Sequence, residues 1–204
     1  MKTILIATKN RGKAKEFDEI FKPMGYQVLT LLDMTEDLDV EETGITFEEN
    51  AILKAETISK YFGIPVLADD SGLIIDALEG RPGVFSARYA GPEKDDLANM
   101  DKVLSEMKGI KGNDRTARFH CSLALALPDR KTITTFGTVE GYIAEEPAGT
   151  NGFGYDPIFY VPTYDKTMAQ LTSEEKNNIS HRHNAIQKLK RIMNELFNRD
   201  DHVL

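Results

Sequence analysis

Apolar and β-branched residues run from Thr3 to Thr8, and Phe17, Ile20, Phe21 and Met24 then recur at helical spacing as far as Gly25. This pattern predicts a strand, a loop with Asn10 as a cap, and a helix. Gln27 to Leu31 predicts a second strand, followed by an irregular acidic stretch from Asp33 to Glu42 that includes Asp37, Asp39 and Glu41. Thr46-Phe-Glu-Glu49 has capping-box spacing, and Phe47, Ala51, Ala55, Ile58 and Phe62 share one helical face that closes near Gly63 and Pro65. Pro65 to Ala68 reads as a buried strand, interrupted by Asp69-Asp70-Ser71-Gly72 before Leu73 to Leu78 becomes apolar again. Leu97, Met100, Val103, Leu104 and Met107 mark a third helix, closed by Gly109. Arg115 to Leu127 and Lys131 to Ile143 predict two long strands in a hairpin, with turn chemistry at Pro128-Asp129-Arg130. A glycine-bearing loop spans Pro147 to Pro157. Ser180 then caps a last helix whose apolar face is Ala185, Ile186, Leu189, Ile192, Met193, Leu196 and Phe197.

Strands alternating with helices predict an α/β architecture, and the hairpin beside helix-linked strands predicts a mixed sheet. No internal repeat, low-complexity tract or long linker divides the 204 residues, so a single domain spanning 1–204 is expected. The balance of 25 Lys and Arg against 33 Asp and Glu argues against a general nucleic-acid coat, which needs excess positive charge. One cysteine, Cys121, excludes an intrachain disulfide and a Cys-rich zinc site, and it fits a reducing, cytoplasmic setting. The N-terminal apolar run is too short for a secretory signal, and no segment approaches the ~20 apolar residues of a membrane span. A soluble chain without a membrane partner is expected.

Four clusters carry candidate chemistry. Ala7-Thr-Lys-Asn-Arg-Gly-Lys13 ends a strand and opens a helix, where backbone N–H groups could face an anion. A plain strand-to-helix turn is the alternative. The phosphate-loop pattern fails, because position 7 is Ala and Ala14 follows Lys13. Asp69-Asp70-Ser71-Gly72 sets two carboxylates at the end of an apolar strand, a desolvation cost that Mg2+ with a ligand from Glu41 or Glu42 would offset. A surface turn is the competing reading. Gly152-Phe-Gly-Tyr-Asp-Pro157 fails the dinucleotide fingerprint, since Pro157 stands where the third glycine belongs. Phe153 and Tyr155 could stack a flat base, or could anchor the loop to the core. Lys176 and Ser180-His-Arg-His183 bring cations to the start of the last helix, either for a polyphosphate or base edge or as an exposed polar helix start. His181 and His183, two apart, make a poor helical metal pair. His120 and Cys121 are expected to pack in a strand.

Together, Thr8 to Lys13, Glu41-Glu-Thr-Gly-Ile-Thr-Phe-Glu-Glu-Asn-Ala51, Ala68-Asp-Asp-Ser-Gly72, Gly83-Val-Phe-Ser-Ala-Arg-Tyr89, Gly152 to Pro157 and Ser180-His-Arg182 resemble the inosine triphosphate pyrophosphatase family. The likeness runs in order from about Ile4 to about Leu196. It implies an elongated mixed sheet flanked by helices, with two lobes and a cleft between them, and a homodimer. It further implies Mg2+-dependent hydrolysis of ITP, dITP and XTP to the monophosphate and pyrophosphate. Carried over by position, Thr8, Lys9, Asn10, Arg11, Gly12 and Lys13 would contact the triphosphate. Glu41 and Asp70 would hold Mg2+, Asp70 would also accept the proton, and Ser71 would touch substrate. Phe153, Gly154, Tyr155 and Asp156, with Lys176, His181 and Arg182, would complete the site, chiefly around the base. Lys9 departs from the small or amide residue usual at its position. A non-catalytic nucleotide sensor and a Maf-like pyrophosphatase with another triphosphate substrate are the rival readings.

Overall fold

The computed structural model describes residues 2–36 and 38–200, and for residues 2 and 194–200 the backbone alone. Asp37 of the acidic stretch and the side chains of Leu196 and Phe197 therefore lie outside what is described. The elements in chain order are β1 (Lys2–Ile6), α1 (Arg11–Phe21), β2 (Tyr26–Thr30), α2 (Phe47–Phe62), β3 (Val66–Ile75), α3 (Asp96–Glu106), β4 (Thr116–Leu127), β5 (Arg130–Ile143), β6 (Phe159–Val161), β7 (Lys166–Thr167), α4 (Ser173–Ile179) and α5 (His181–Asp200).

The seven strands form one sheet in the order β2-β1-β3-β4-β5-β6-β7. β1 pairs in parallel with β2, from Lys2 opposite Tyr26 to Ile6 opposite Thr30, and in parallel with β3. β5 pairs antiparallel with β6, and β6 with β7. β4 and β5 neighbour each other across the two-residue turn at Pro128 and Asp129, a connection that only antiparallel strands allow. The sheet is therefore mixed, as the element order implies.

Two expectations are corrected. Asp69-Asp70-Ser71-Gly72 does not interrupt the apolar run as a turn; it lies inside a single ten-residue strand, β3. β3 lies between β1 and β4, but its pairing with β1 ends at Leu67, and beyond it the Asp69 carbonyl accepts from Lys54 Nζ at 2.6 Å. The expected strand to Thr8 stops at Ile6, where Thr8 turns its N–H back to the Ile6 carbonyl. The short elements β6, β7 and α4 carry too little periodicity to stand out in the sequence.

Two compact units emerge: residues 1–70, 121–137 and 181–204, and residues 71–120 and 138–180. In the first, α1 and α5 bring Phe17, Ile20, Ala185, Ile186 and Leu189 onto Ile6, Leu67, Cys121 and Leu123. A second cluster joins Ala51, Ala55 and Ile58 of α2 to Leu5, Val66, Ala68 and Ala124. Leu67 and Val66 belong to different clusters because successive strand side chains point to opposite faces. α2 is fixed at both ends, by the reciprocal Thr46–Glu49 capping box and by Gly63 in the left-handed conformation at φ 68°. In the second unit, Met100 and Val103 of α3 and Met107, its C-cap, pack with Leu73, Ile75, Phe119, Tyr155 and Phe159. The Phe119 and Phe159 ring centroids lie 4.4 Å apart. Arg115 is buried there, donating to the carbonyls of Ile143, Met107, Ile110 and Ala144. Among the described residues no helix is long and apolar enough to cross a membrane.

Candidate active site

In the first unit the chain leaves β1 through a turn built by its own side chains. Thr8 Oγ1 accepts from the Asn10 N–H at 3.1 Å, and Asn10 Oδ1 caps α1 by accepting from the Lys13 N–H at 3.0 Å. Thr8 is buried, Lys9, Asn10 and Arg11 are exposed, and Gly12 and Lys13 are half-buried. The Lys13 ammonium closes on Asp69 Oδ2 at 2.9 Å.

The pleat of β3 decides what its two aspartates meet. Asp69 shares a face with Leu67, the face covered by α1 and α5. There Arg182 Nη2 reaches Asp69 Oδ2 at 3.2 Å, and Arg182 Nη1 pairs with Glu16. Arg182 is 1% exposed, and its guanidinium lies 5.4 Å from the Phe17 ring centre. Burial alone would raise the Asp69 carboxyl, but Lys13, Arg182 and Lys54 outweigh it and hold the group well below the usual carboxylate range.

Asp70 shares the other face with Val66 and Ala68, against α2. Asn50 Nδ2 donates to Asp70 Oδ2 at 3.0 Å, while its Oδ1 accepts from the Gly44 N–H at 2.7 Å. One buried amide thus ties the Glu41-to-Gly44 segment to the Asp70 carboxylate. Gly44 is required at that contact, since a Cβ there would lie 2.6 Å from Asn50 Oδ1. Lys54 binds Glu42 Oε1 and the Asp69 carbonyl, each at 2.6 Å, and stands 3.9 Å from Asp70 Oδ1. Burial pushes Asp70 up to about 6; Lys54, Lys13 and the Asn50 hydrogen bond oppose the shift, and Glu42 adds to it. Burial would lower Lys54, but Asp70, Asp69 and Glu42 hold it raised and charged. Of the two neighbouring glutamates, Glu41 is exposed and Glu42 is half-buried on Lys54.

α5 reaches Arg182 into this network because β5 lets it come close. A Cβ on Gly137 would lie 2.3 Å from the His181 carbonyl, and Thr135 donates to the Ala185 carbonyl at 3.1 Å. His181 is buried at the first position of the helix. Cys121 is fully buried in the same unit and its thiol is pushed up to about 12 by burial, with Asp69 adding, which leaves it a packing residue. An open groove of about 440 Å³ between α1 and β2 shares Arg11 with this region and is lined by neither Asp69 nor Asp70.

In the second unit, Ser71 is half-buried on β3. The loop from Gly152 to Asp156 is closed on itself. The Asp156 carboxylate accepts from the Phe153 N–H at 2.9 Å and from Lys176 Nζ at 2.5 Å. Gly152 admits this arrangement, because a Cβ there would lie 1.9 Å from Asp156 Oδ2. Lys176 stands 4.9 Å from the centre of the Phe153 ring. The two aromatics part company: Tyr155 is buried in the core, and Phe153 is half-exposed. Tyr155 is the core anchor of the loop, and the half-buried Phe153 ring lies against Lys176 instead.

The structure thus gathers Lys13, Asp69, Asp70 and Arg182 in one unit and Phe153, Asp156 and Lys176 in the other. It adds Asn50, Lys54 and Glu16, which the pattern of the sequence did not single out. Their signal was present: Asn50 and Lys54 lie four apart on α2, beside Ala51 and Ala55, and Glu16 adjoins Phe17 on the apolar side of α1. Polar side chains beside small or apolar core positions of a helix mark groups that must find buried partners.

A buried pair of carboxylates, one clamped by cations and one raised by burial, with lysines close by, suits a hydrolase that acts on phosphate anhydrides. The model of the Ham1 family matches residues 4–192, and the chain belongs to that family. It is 62% identical over 189 residues to a dITP/XTP pyrophosphatase of Halalkalibacterium halodurans, covering 93% of this chain and 97% of the relative. Identity to the dITP/XTP pyrophosphatase of Bacillus subtilis is 60% over 193 residues, covering 95% and 98%. The solved Staphylococcus aureus Ham1 protein matches at a TM-score of 0.84 with 50% identity, over 95% of this chain and 99% of that one.

Proposed function

We infer that this chain is a nucleoside-triphosphate pyrophosphatase that hydrolyses non-standard purine nucleotides, dITP, ITP and XTP, to the monophosphate and pyrophosphate. Such an activity clears deaminated purines from the nucleotide pool. The identity to dITP/XTP pyrophosphatases across almost the whole chain supports the substrate class. The observation that carries the chemistry is the division of labour on β3: Asp69 is kept ionised by cations, while Asp70 is pushed up to about 6. In the metal-free chain that raised carboxyl is the group placed to take a proton from water.

In this reading Thr8 to Lys13 take the triphosphate, with the Lys13 ammonium offsetting charge that builds on it as the anhydride breaks. Asp70 accepts the proton of the water that attacks the α-phosphorus, and pyrophosphate leaves. Ser71 touches the substrate, and Phe153, Gly154 and Asp156 with Lys176 and His181 receive the base, while Tyr155 anchors the loop to the core. Arg182 holds Asp69 from beneath. Selectivity would come from the base edge: a C6 carbonyl satisfies donors that the amino group of adenine leaves unpaired, a mismatch worth up to roughly 10⁴-fold.

The donor set near Asp70 is all oxygen: its own carboxylate, with Glu41 and Glu42 on the segment that Asn50 ties to it. That set fits Mg2+, which takes one or two carboxylates and completes its shell with water and phosphate oxygens. Asp70 and Glu41 would hold the ion, and when bound it supplies charge neutralisation on the phosphates. The active species in this reading is a cytoplasmic homodimer, with all 204 residues serving as one pyrophosphatase domain.

The test incubates the purified chain with Mg2+ and, separately, dITP, XTP, dGTP and ATP, and measures pyrophosphate and orthophosphate with and without EDTA. EDTA-sensitive pyrophosphate from dITP and XTP supports the reading. Orthophosphate moves the attack to another phosphorus, turnover of dGTP or ATP changes the substrate class, and binding without turnover makes the chain a sensor.

A further inference from the structure

The loop from Gly152 to Asp156 is held by more than its own turn. The Gly154 N–H donates to Asp96 Oδ2 at 2.8 Å. Asp96 is the first residue of α3, directly after the N-cap Asp95, whose own carboxylate is taken by the Ala98 N–H at 3.0 Å. Asp96 is therefore left to the loop. On the inner side, the Tyr155 hydroxyl donates to the Ser86 carbonyl at 2.7 Å within the core. Ser86 Oγ in turn accepts from the Leu73 N–H at 2.9 Å and donates to the Gly83 carbonyl at 2.6 Å. The approach is close enough that a Cβ on Gly72 would meet Ser86 Oγ at 2.3 Å. The turn 83–88 thereby grips both β3, two residues past Ser71, and the aromatic loop.

Around Phe153 three backbone groups are committed. Its N–H goes to Asp156, its carbonyl accepts from the Asp156 N–H at 3.3 Å, and the next amide, at Gly154, goes to Asp96. Gly154 has φ 61°, a left-handed conformation that a side chain would strain. The half-buried Phe153 ring, backed by Lys176 in its ion pair with Asp156, is the aromatic face that the loop presents.

We propose that Asp96 is a positioning residue for purine recognition: it fixes the Gly154 peptide, and with it the Phe153 ring, without touching the nucleotide. This rests on the reading of the loop as the base-binding element. Preorganisation of this kind lowers the ordering cost of binding and leaves the chemical step alone. Tyr155 serves the same loop from the core side through Ser86.

Asp96→Ala is expected to raise KM for ITP about fivefold, the loss of roughly one charge-assisted hydrogen bond to an exposed amide, with kcat within about twofold. Product inhibition by inorganic pyrophosphate, which has no base, should be unchanged. Asp96→Asn should recover most of the loss, because its amide oxygen can still accept. Tyr155→Phe should raise KM in the same direction from the opposite anchor. Unchanged KM in Asp96→Ala, an equal loss in pyrophosphate inhibition, or a fall in kcat matching the rise in KM would overturn the proposal. If the wild-type chain hydrolyses no purine triphosphate, the underlying reading fails first, before any variant is made.

Discussion

The two faces of β3 treat adjacent, identical side chains in opposite ways. On the face of α1 and α5, Asp69 meets Lys13 and Arg182 and is held ionised. On the face of α2, Asp70 meets an amide and a lysine that it shares with Glu42, and burial lifts it to about 6. The difference separates holding from reacting. A buried carboxylate clamped by two cations is a poor base but a rigid strut; one whose charge is only partly compensated is ready to take a proton.

The comparison is broken most severely at Asp70. Asp70→Asn removes the base while its amide oxygen still accepts from Asn50, so kcat for dITP should fall about 10²–10⁴-fold with nucleotide binding retained. Steady-state kinetics with calorimetric binding checks this, and an unchanged kcat would remove Asp70 from the chemistry. Asp69→Asn should act mainly on stability. It leaves Arg182 and Lys13 facing an amide inside the fold, at a cost of about 3–5 kcal/mol, which denaturant melts would read.

The same contrast appears as a pH dependence of the metal-free chain in EDTA. The folded value of Asp70 lies above its ordinary 3.8, so the native state binds the extra proton between about 4 and 6. Stability from this group is complete below the ordinary value and is lost as pH rises through the folded one, by up to about 3 kcal/mol. Asp70→Asn should therefore melt higher than wild type at pH 8, with the gap closing towards pH 4. Asp69 has the reverse sign: its folded value is depressed, so its contribution is present above 3.8 and is lost as pH falls through and below the usual carboxylate range. Asp69→Asn should cost most at neutral pH and progressively less in acid. Equal pH profiles for the two variants would abolish the distinction between the faces.

The smallest effects belong to the first loop and the aromatic loop. Lys13→Ala should raise KM for triphosphates or lower kcat with the chain still folded. Phe153→Ala should raise KM by about tenfold, consistent with ~1–3 kcal/mol for base–aromatic stacking, with little change in melting because the ring is half-exposed.

The sequence by itself determined the class of fold, because helical and strand periods are local properties of side-chain order. It also determined the capped starts at Asn10 and Thr46, which depend on contacts three residues apart. The motif residues were legible for the same reason, each cluster being contiguous. What only the tertiary structure decided was the partner of each charge. Whether Asp69-Asp70 forms a turn or a strand depends on neighbours far along the chain, and once it is a strand, its pleat sends the two carboxylates to helices more than a hundred residues apart in sequence, α2 and α5. The same holds for Tyr155, which reads as a stacking ring beside Phe153 until its hydroxyl finds the Ser86 carbonyl 69 residues away. Periodicity records which way a side chain points along its own element. Desolvation and charge pairing depend on what arrives from elsewhere, and that is set by how the elements pack.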